Sequence, residues 1–185
     1  MALADIDNDG DLDLYVATYR ATNYKDAPPG VKPEVKKVDG KYVAFPEDRF
    51  IVVPSRRTDG VTLFELGEPD LLYRNDGKGH FTAISWTNGD FLDEDGKPLS
   101  HPPYDWGLSV AFRDMNGDGA PDIYVCNDFL WSRDTVWIND GKGQFRAIDK
   151  LALRNMSMSS MGIDFADINR DGYDDFFVVD MLSRD

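Results

Sequence analysis

Three nine-residue stretches carry the residue types best suited to chemistry: Asp5-Ile6-Asp7-Asn8-Asp9-Gly10-Asp11-Leu12-Asp13, Asp114-Met115-Asn116-Gly117-Asp118-Gly119-Ala120-Pro121-Asp122 and Asp167-Ile168-Asn169-Arg170-Asp171-Gly172-Tyr173-Asp174-Asp175. In each, positions 1, 5 and 9 are Asp, position 3 is Asp or Asn, and position 6 is Gly. Short oxygen-bearing side chains at alternate positions converge when a loop curls around one point. Gly at position 6 supplies the sharp turn that brings the next backbone carbonyl in with them. Carboxylates gathered this closely repel: two unit charges about 4 Å apart cost roughly 1 kcal/mol in water and about 4 at an effective dielectric of 20. A hard divalent cation removes that penalty, and Ca2+ accepts irregular oxygen geometry better than Mg2+ does.

The expected ligands in the first loop are the side chains of Asp5, Asp7, Asp9 and Asp13 with the Asp11 carbonyl. In the second they are Asp114, Asn116, Asp118 and Asp122 with the Ala120 carbonyl, and in the third Asp167, Asn169, Asp171 and Asp175 with the Tyr173 carbonyl. That makes up to three Ca2+ sites. A single copy could equally be an Asx-rich turn without metal; three copies in one register favour the cation. An EF-hand begins with the same pattern, but it needs a bidentate Glu at position 12 and helices on both sides. Position 12 here is Val16, Val125 and Val178, and the flanks (Leu14-Tyr15-Val16, Leu108 to Phe112, Ile123-Tyr124-Val125, Phe176 to Val179) read as strands. The sites are therefore expected in strand–loop–strand settings.

A second motif recurs between the loops. Tyr73-Arg74-Asn75-Asp76-Gly77-Lys78-Gly79-His80-Phe81 matches Trp137-Ile138-Asn139-Asp140-Gly141-Lys142-Gly143-Gln144-Phe145. Each reads as a tight β-hairpin with glycines at positive φ, its Asn and Asp serving turn chemistry. The repeating unit is then strand, Asp loop, strand, strand, Gly turn, strand. Four antiparallel strands per unit mark an all-β fold built of β-propeller blades.

Spacing supports one unit with two insertions. Asp5 to Asn75 exceeds Asp114 to Asn139 by 45 residues, and Asn75 to Asp114 exceeds Asn139 to Asp167 by 11. The organisation is thus a first blade over 1–86 with an insertion at about 20–70, a short insertion at 87–105, a second blade over 106–150 and the start of a third over 151–185. About two and a half blades cannot close a propeller, so the rest of the propeller is expected in a longer chain.

The larger insertion opens with Asp26-Ala27-Pro28-Pro29-Gly30 and carries hairpin signals at Val38-Asp39-Gly40-Lys41 and Thr58-Asp59-Gly60-Val61. It reads as a β excursion bearing Lys32, Lys36, Lys37, Arg56 and Arg57. In the smaller insertion Asp93-Glu94-Asp95-Gly96 resembles half a metal loop. Its register would put Phe91 and Leu99 at positions 1 and 9, so it is a turn.

These two motifs together resemble the FG-GAP/VCBS repeat family, known from integrin α-subunits and exported bacterial proteins. Tyr104-Asp105-Trp106-Gly107-Leu108-Ser109-Val110 and Asp164 to Gly172 resemble its cartilage-acidic-protein-like (ASPIC/UnbV-associated) branch in particular. The resemblance implies a seven-bladed propeller when complete, Ca2+ between the first and second strands of a blade, an extracellular or periplasmic setting, and no established catalytic activity. A start at Met1 to Asp5 without a basic or apolar leader departs from that pattern.

A net charge of −14 and a pI near 4.4 argue against nucleic acid and anionic membrane as partners, which need a basic face. Three Ca2+ would take the charge from −14 to −8. With 42% hydrophobic residues the chain can bury a core, and nothing in it reads as a membrane span. Cys126 stands alone after an apolar strand and reads as a small core residue. His80 reads as a turn residue, His101 as part of a loop with Tyr104 to Trp106, and Met156, Met158 and Met161 as packing. The favoured function is a Ca2+-stabilised module that binds a protein or carbohydrate ligand. The alternative is part of a propeller enzyme acting on polysaccharide as a lyase or hydrolase, with catalytic residues around His101 to Trp106 or elsewhere.

Overall fold

The computed structural model describes residues 1–20, 33–47, 49–55, 60–128, 132–148, 153 and 155–181. The described residues are all β and turn. The first blade joins β1 (Ala2–Ala4), β2 (Asp13–Val16), β7 (Leu71–Asn75) and β8 (Phe81–Ala83) in that spatial order, every pair antiparallel. The second joins β10 (Gly107–Arg113), β11 (Asp122–Asn127), β12 (Thr135–Asn139) and β13 (Phe145–Ala147) in the same way. The third consists of β14 (Ser160–Ala166) and β15 (Asp175–Asp180). This is a β-propeller segment of two blades and half of another, each Asp loop joining the first and second strands of its blade.

Between β2 and β7 lie two hairpins, β3 (Glu34–Val38) with β4 (Lys41–Phe45) and β5 (Phe50–Pro54) with β6 (Val61–Glu65). Asp39 and Gly40 both have positive φ in the first turn, as the hairpin signal requires. The hairpins sit on the first blade through Glu65, which pairs with Arg49 at 3.0 Å and Arg20 at 3.8 Å, while the Trp106 indole donates to the Glu65 carbonyl. Lys36 pairs with Glu34, and its ammonium lies over the Phe45 ring. Asp26 to Gly30, Lys32, Arg56, Arg57 and the Thr58-Asp59 half of the second hairpin signal lie outside the described residues.

The short insertion departs from expectation. Its β9 (Phe91–Leu92) pairs parallel to β13 and makes the second sheet five-stranded. The cause is packing: Phe91 is fully buried, stacked on Phe145, tilted against Trp86 and edge-on to Trp137. Aromatic burial of this size outweighs the cost of leaving the up-and-down order. Asp93 to Lys97 does form the expected turn, closed by Asp93 N–H to the Lys97 carbonyl and Lys97 N–H to the Asp93 carboxylate.

Alternation along β11 places the two cores. Ile123 and Val125 join Tyr15, Leu72, Trp86, Trp137 and Phe145 between the first and second blades. Tyr124 and Cys126 join Val136, Leu153, Ile163, Phe165 and Val178 between the second and third. Every residue of β11 is buried, as a strand with blades on both faces must be. Cys126 is part of this packing, its thiol pushed up to about 12 chiefly by burial. Met156 packs against the same core, whereas Met158 and Met161 are exposed.

Each complete blade also carries a buried carboxylate that the sequence reading overlooked. Asp70 Oδ2 accepts from the Tyr15 hydroxyl at 2.8 Å and Oδ1 from Thr18 N–H at 2.7 Å. Asp134 Oδ2 accepts from the Tyr124 hydroxyl at 2.9 Å and Oδ1 from Asn127 N–H at 2.8 Å. The following blade approaches both. Ser160 Oγ donates to Asp134, and at the corresponding position Gly107 lies so close that an added Cβ would meet Asp70 Oδ1 at 2.8 Å. Burial raises the Asp70 carboxyl above its usual 3.8, outweighing the hydrogen bonds that lower it. A carboxyl raised in the fold contributes stability that is full below its unfolded value and is lost as pH rises through the folded value. In urea titrations with chelator present, wild type should therefore gain stability relative to Asp70→Asn as pH falls from about 7 to about 4. A difference that is flat with pH would show that Asp70 titrates normally.

Candidate metal centre

The Asp loops are built from carboxylate-to-backbone hydrogen bonds. In the first, Asp5 Oδ1 accepts from Asp9 N–H at 3.1 Å and Oδ2 from Gly10 N–H at 3.0 Å. Asp114 takes Asp118 and Gly119, and Asp167 takes Asp171 and Gly172, in the same way. Position 1 is thus the hub around which each loop curls. Gly10, Gly119 and Gly172 at position 6 have φ of 93°, 90° and 91°. Position 4 is also left-handed, with Asn8 at 59°, Gly117 at 80° and Arg170 at 64°. That second requirement is hidden in the sequence because three different residue types satisfy it, Arg170 at a steric cost.

Position 9 faces inward. Asp13 and Asp122 are 1% and 0% exposed. Each splits its oxygens: Oδ2 accepts from the position-2 N–H (Ile6 at 3.0 Å, Met115 at 2.8 Å). Oδ1 accepts from the backbone N–H of the hairpin Asn (Asn75 and Asn139, both at 2.8 Å). Desolvation by burial raises both carboxyls above the usual range, opposed by those same N–H groups. Asp175 repeats the first half, its Oδ2 accepting from Ile168 N–H at 3.1 Å.

The first loop brings expected ligands together most clearly. Oxygen atoms of Asp5, Asp7 and Asp13 all lie within 4.8 Å of one another, the one such acidic grouping among the described residues. Asp7 Oδ1 is buried without a hydrogen-bond partner, while Oδ2 lies 3.0 Å from Arg74 Nε in an ion pair too misaligned for a hydrogen bond. Asp9 falls outside the grouping and accepts from Asp11 N–H at 2.9 Å. In the other loops Asn replaces Asp at position 3. Asn116 and Asn169 each donate to the position-5 carboxylate, Asp118 or Asp171, and accept its N–H in return. Those carboxylates also accept from Ala120 and Tyr173 N–H, so residues 116–120 and 169–173 are held as Asx turns.

The Gly hairpins do more than turn. Asp76 and Asp140 close them as expected, accepting from Lys78 and His80 and from Lys142 and Gln144; His80 is the exposed turn residue anticipated. Asn75 and Asn139, however, dock the hairpin onto the loop through Nδ2, which donates to the position-8 carbonyls of Leu12 and Pro121. Asn139 also reaches across to the previous blade, donating to the Ile6 carbonyl at 2.8 Å, and Asn8 returns a bond to the Gly141 carbonyl. Gly143 adopts a φ of 80° here, which favours glycine, and an added Cβ would also displace the tip of the Arg74 guanidinium, 2.6 Å away. Around His101 the loop is internally engaged: His101 stacks with Tyr104, and Trp106 packs edge-on to Tyr19.

Against known proteins, the model of the FG-GAP-like repeat matches residues 67–125 and 114–178. The chain belongs to the FG-GAP repeat family. Each matched segment contains a Gly hairpin followed by an Asp loop and the start of its second strand, and the second segment begins with the Asp114 to Asp122 loop as well. No curated protein and no solved structure matches the chain. No described helix is long and apolar enough to cross a membrane.

The two hairpin asparagines predict unequal costs. Asn139→Ala removes bonds in a site 1% exposed and severs a link between blades, so it should cost about 3 kcal/mol. Asn75→Ala removes two solvent-exposed bonds, to the Leu12 carbonyl and from Gly77 N–H, and should cost about 1 kcal/mol. Urea denaturation of the two variants checks the ranking, and equal losses would contradict it.

Proposed function

We propose that this FG-GAP repeat segment is a calcium-stabilised interaction module acting outside the cytoplasm, its loops holding Ca2+ for structure while the propeller surface binds a protein or glycan. The observation that carries the reading is the first loop: three carboxylates share one focus, and a buried Asp7 oxygen there lacks a hydrogen-bond partner. The donor set fits a hard cation, being all oxygen, anionic and mounted on a curled loop. Asp5, Asp7 and Asp13 would hold the ion there, with Asp9 and the Asp11 carbonyl available at the rim. In the other loops the corresponding ligands are Asp114, Asn116, Asp118, Asp122 and the Ala120 carbonyl, and Asp167, Asn169, Asp171, Asp175 and the Tyr173 carbonyl. When bound, Ca2+ would supply the charge neutralisation that these carboxylates lack.

A site with Kd near 10⁻⁴ M at about 1 mM free ion contributes roughly 1.4 kcal/mol. For a chain of this size that is about 3–6 °C in Tm per site. Calcium should therefore raise Tm over the EDTA-treated protein, and Asp5→Ala with Asp7→Asn should lower the bound metal by one ion per chain. Equal Tm in EDTA and calcium, with no metal retained after gel filtration, would refute the reading. Because Asp13 and Asp122 bind protons more tightly than usual, protons compete with the ion. The calcium-dependent rise in Tm should accordingly shrink as pH falls from about 7 towards 5.

A further inference from the structure

The first Asp loop and its hairpin differ from the second such pair at two positions that meet in space. Position 3 is Asp7 in the first loop and Asn116 in the second, and the residue before the hairpin Asn is Arg74 in the first blade and Ile138 in the second. One extra negative charge and one extra positive charge are thus paired, Arg74 Nε lying 3.0 Å from Asp7 Oδ2. Asn116 steadies its loop by donating Nδ2 to Asp118 at 2.8 Å, as Asn169 does to Asp171 at 3.0 Å. A carboxylate has no proton to donate, so Asp7 faces the guanidinium instead. The contact is one of charge more than of bonding: Arg74 Nε is buried without a hydrogen bond among the described residues, and so is Asp7 Oδ1. The two partners are also unequally enclosed, the Asp7 side chain being 17% exposed and that of Arg74 40%. The guanidinium therefore has a way out to water that the carboxylate lacks.

We propose, resting on the reading that the first loop holds Ca2+, that Arg74 is a tethered counter-ion for that site. It compensates Asp7 while the loop is metal-free, and it must release the carboxylate before Asp7 can turn its charge to the ion. Affinity at this loop is then set by competition between two cations, one of them attached to the chain and so present at a high effective concentration. Three carboxylates would otherwise make the first loop the strongest attractor of a dication; Arg74 holds that attraction down. The second loop lacks the pair. Asn116 is uncharged, and Arg113, the cation beside Asp114, is engaged with Asp174 of the third blade. Gly143 leaves the guanidinium its place at the junction of the blades, since an added Cβ would lie 2.6 Å from Arg74 Nη2 and 3.6 Å from Asp7 Cβ.

The test is calcium titration of the metal-stripped intact chain by calorimetry, for wild type, Arg74→Gln, Arg74→Met and Arg74→Lys. Gln and Met remove the charge and keep most of the stem, so each should tighten one site about tenfold and leave any other unchanged, whereas Lys should stay within about threefold of wild type. Adding Asp7→Asn to Arg74→Gln should abolish the gain, which assigns it to the first loop. In EDTA the two neutral variants should unfold at a lower temperature than wild type, so that calcium raises their Tm by more. Equal calcium affinity in wild type and Arg74→Gln would overturn the proposal and leave the calcium reading standing. A lysine variant that tightens the site as glutamine does would also overturn it, because charge would then not be the cause. If neither wild type nor Arg74→Gln binds calcium, the calcium reading has failed and the proposal falls with it.

Discussion

The segment depends on one arrangement: a buried aspartate at the ninth loop position whose two oxygens serve two different parts of the chain. Asp13 and Asp122 each hold the entrance of the Asp loop with one oxygen and the third strand of the blade with the other. A carboxylate buried to this degree is costly unless its lone pairs are used, and two short N–H bonds each meet that demand. Glu would overshoot, and Asn would offer one acceptor oxygen where two are needed. The hairpin Asn completes the arrangement by returning its side-chain amide to the loop. Loop, second strand and third strand are therefore set relative to one another by polar geometry, before the apolar faces decide how blades stack.

That stacking follows a code of equivalent positions. Tyr15 and Tyr124 point towards the blade that follows, and Phe112 and Phe165 back towards the blade before; Phe177 and Leu3 hold the equivalent sequence positions in the third and first blades. Where a neighbour is present the contacts are aromatic, Tyr15 with Phe112 at 6.4 Å and Tyr124 with Phe165 at 6.4 Å. Where none is described, Leu3 and Phe177 are 55% and 66% exposed. The second blade, covered on both faces, shows what each position is for. Its β11 is apolar on both faces because neither meets water, and the two-residue period alone would not have revealed that burial.

Most of the architecture was legible because the repeat is written in polar residues of fixed geometry. Gly10, Gly119 and Gly172, the Asn-Asp-Gly turns and the 45-residue offset placed the blades and the larger insertion. The β9 strand was not legible: Phe91 lies in a run with no partner in the first repeat, and its burial depends on Trp86 and Trp137 from elsewhere. Asp70 and Asp134 were within reach, since each precedes its hairpin Asn by five residues once the insertion is removed. The dual role of Asn75 and Asn139 was obscured because turn chemistry accounts for an Asn there without further help. At position 4 no residue type recurs, so a backbone requirement left no compositional trace.

The loops also bear on what an ion could contribute. In all three, the hub carboxylate is held by two backbone N–H groups belonging to the loop itself, and the position-9 carboxylate by others, so the curl is specified by the polypeptide. This differs from a small zinc domain, in which metal binding is the folding free energy. In a preformed loop the ion gains chiefly from relieving repulsion among charges already assembled, which amounts to a few kcal/mol at most near a surface. The first loop has the most to gain, with three carboxylates where the others have Asn at position 3, and Arg74 already provides part of the compensation for Asp7. On this reasoning calcium in the proposed reading stiffens the junctions between blades and leaves the fold of each blade to its own hydrogen bonds. The first junction is the clearest case, because Asn139 connects that loop directly to the neighbouring hairpin.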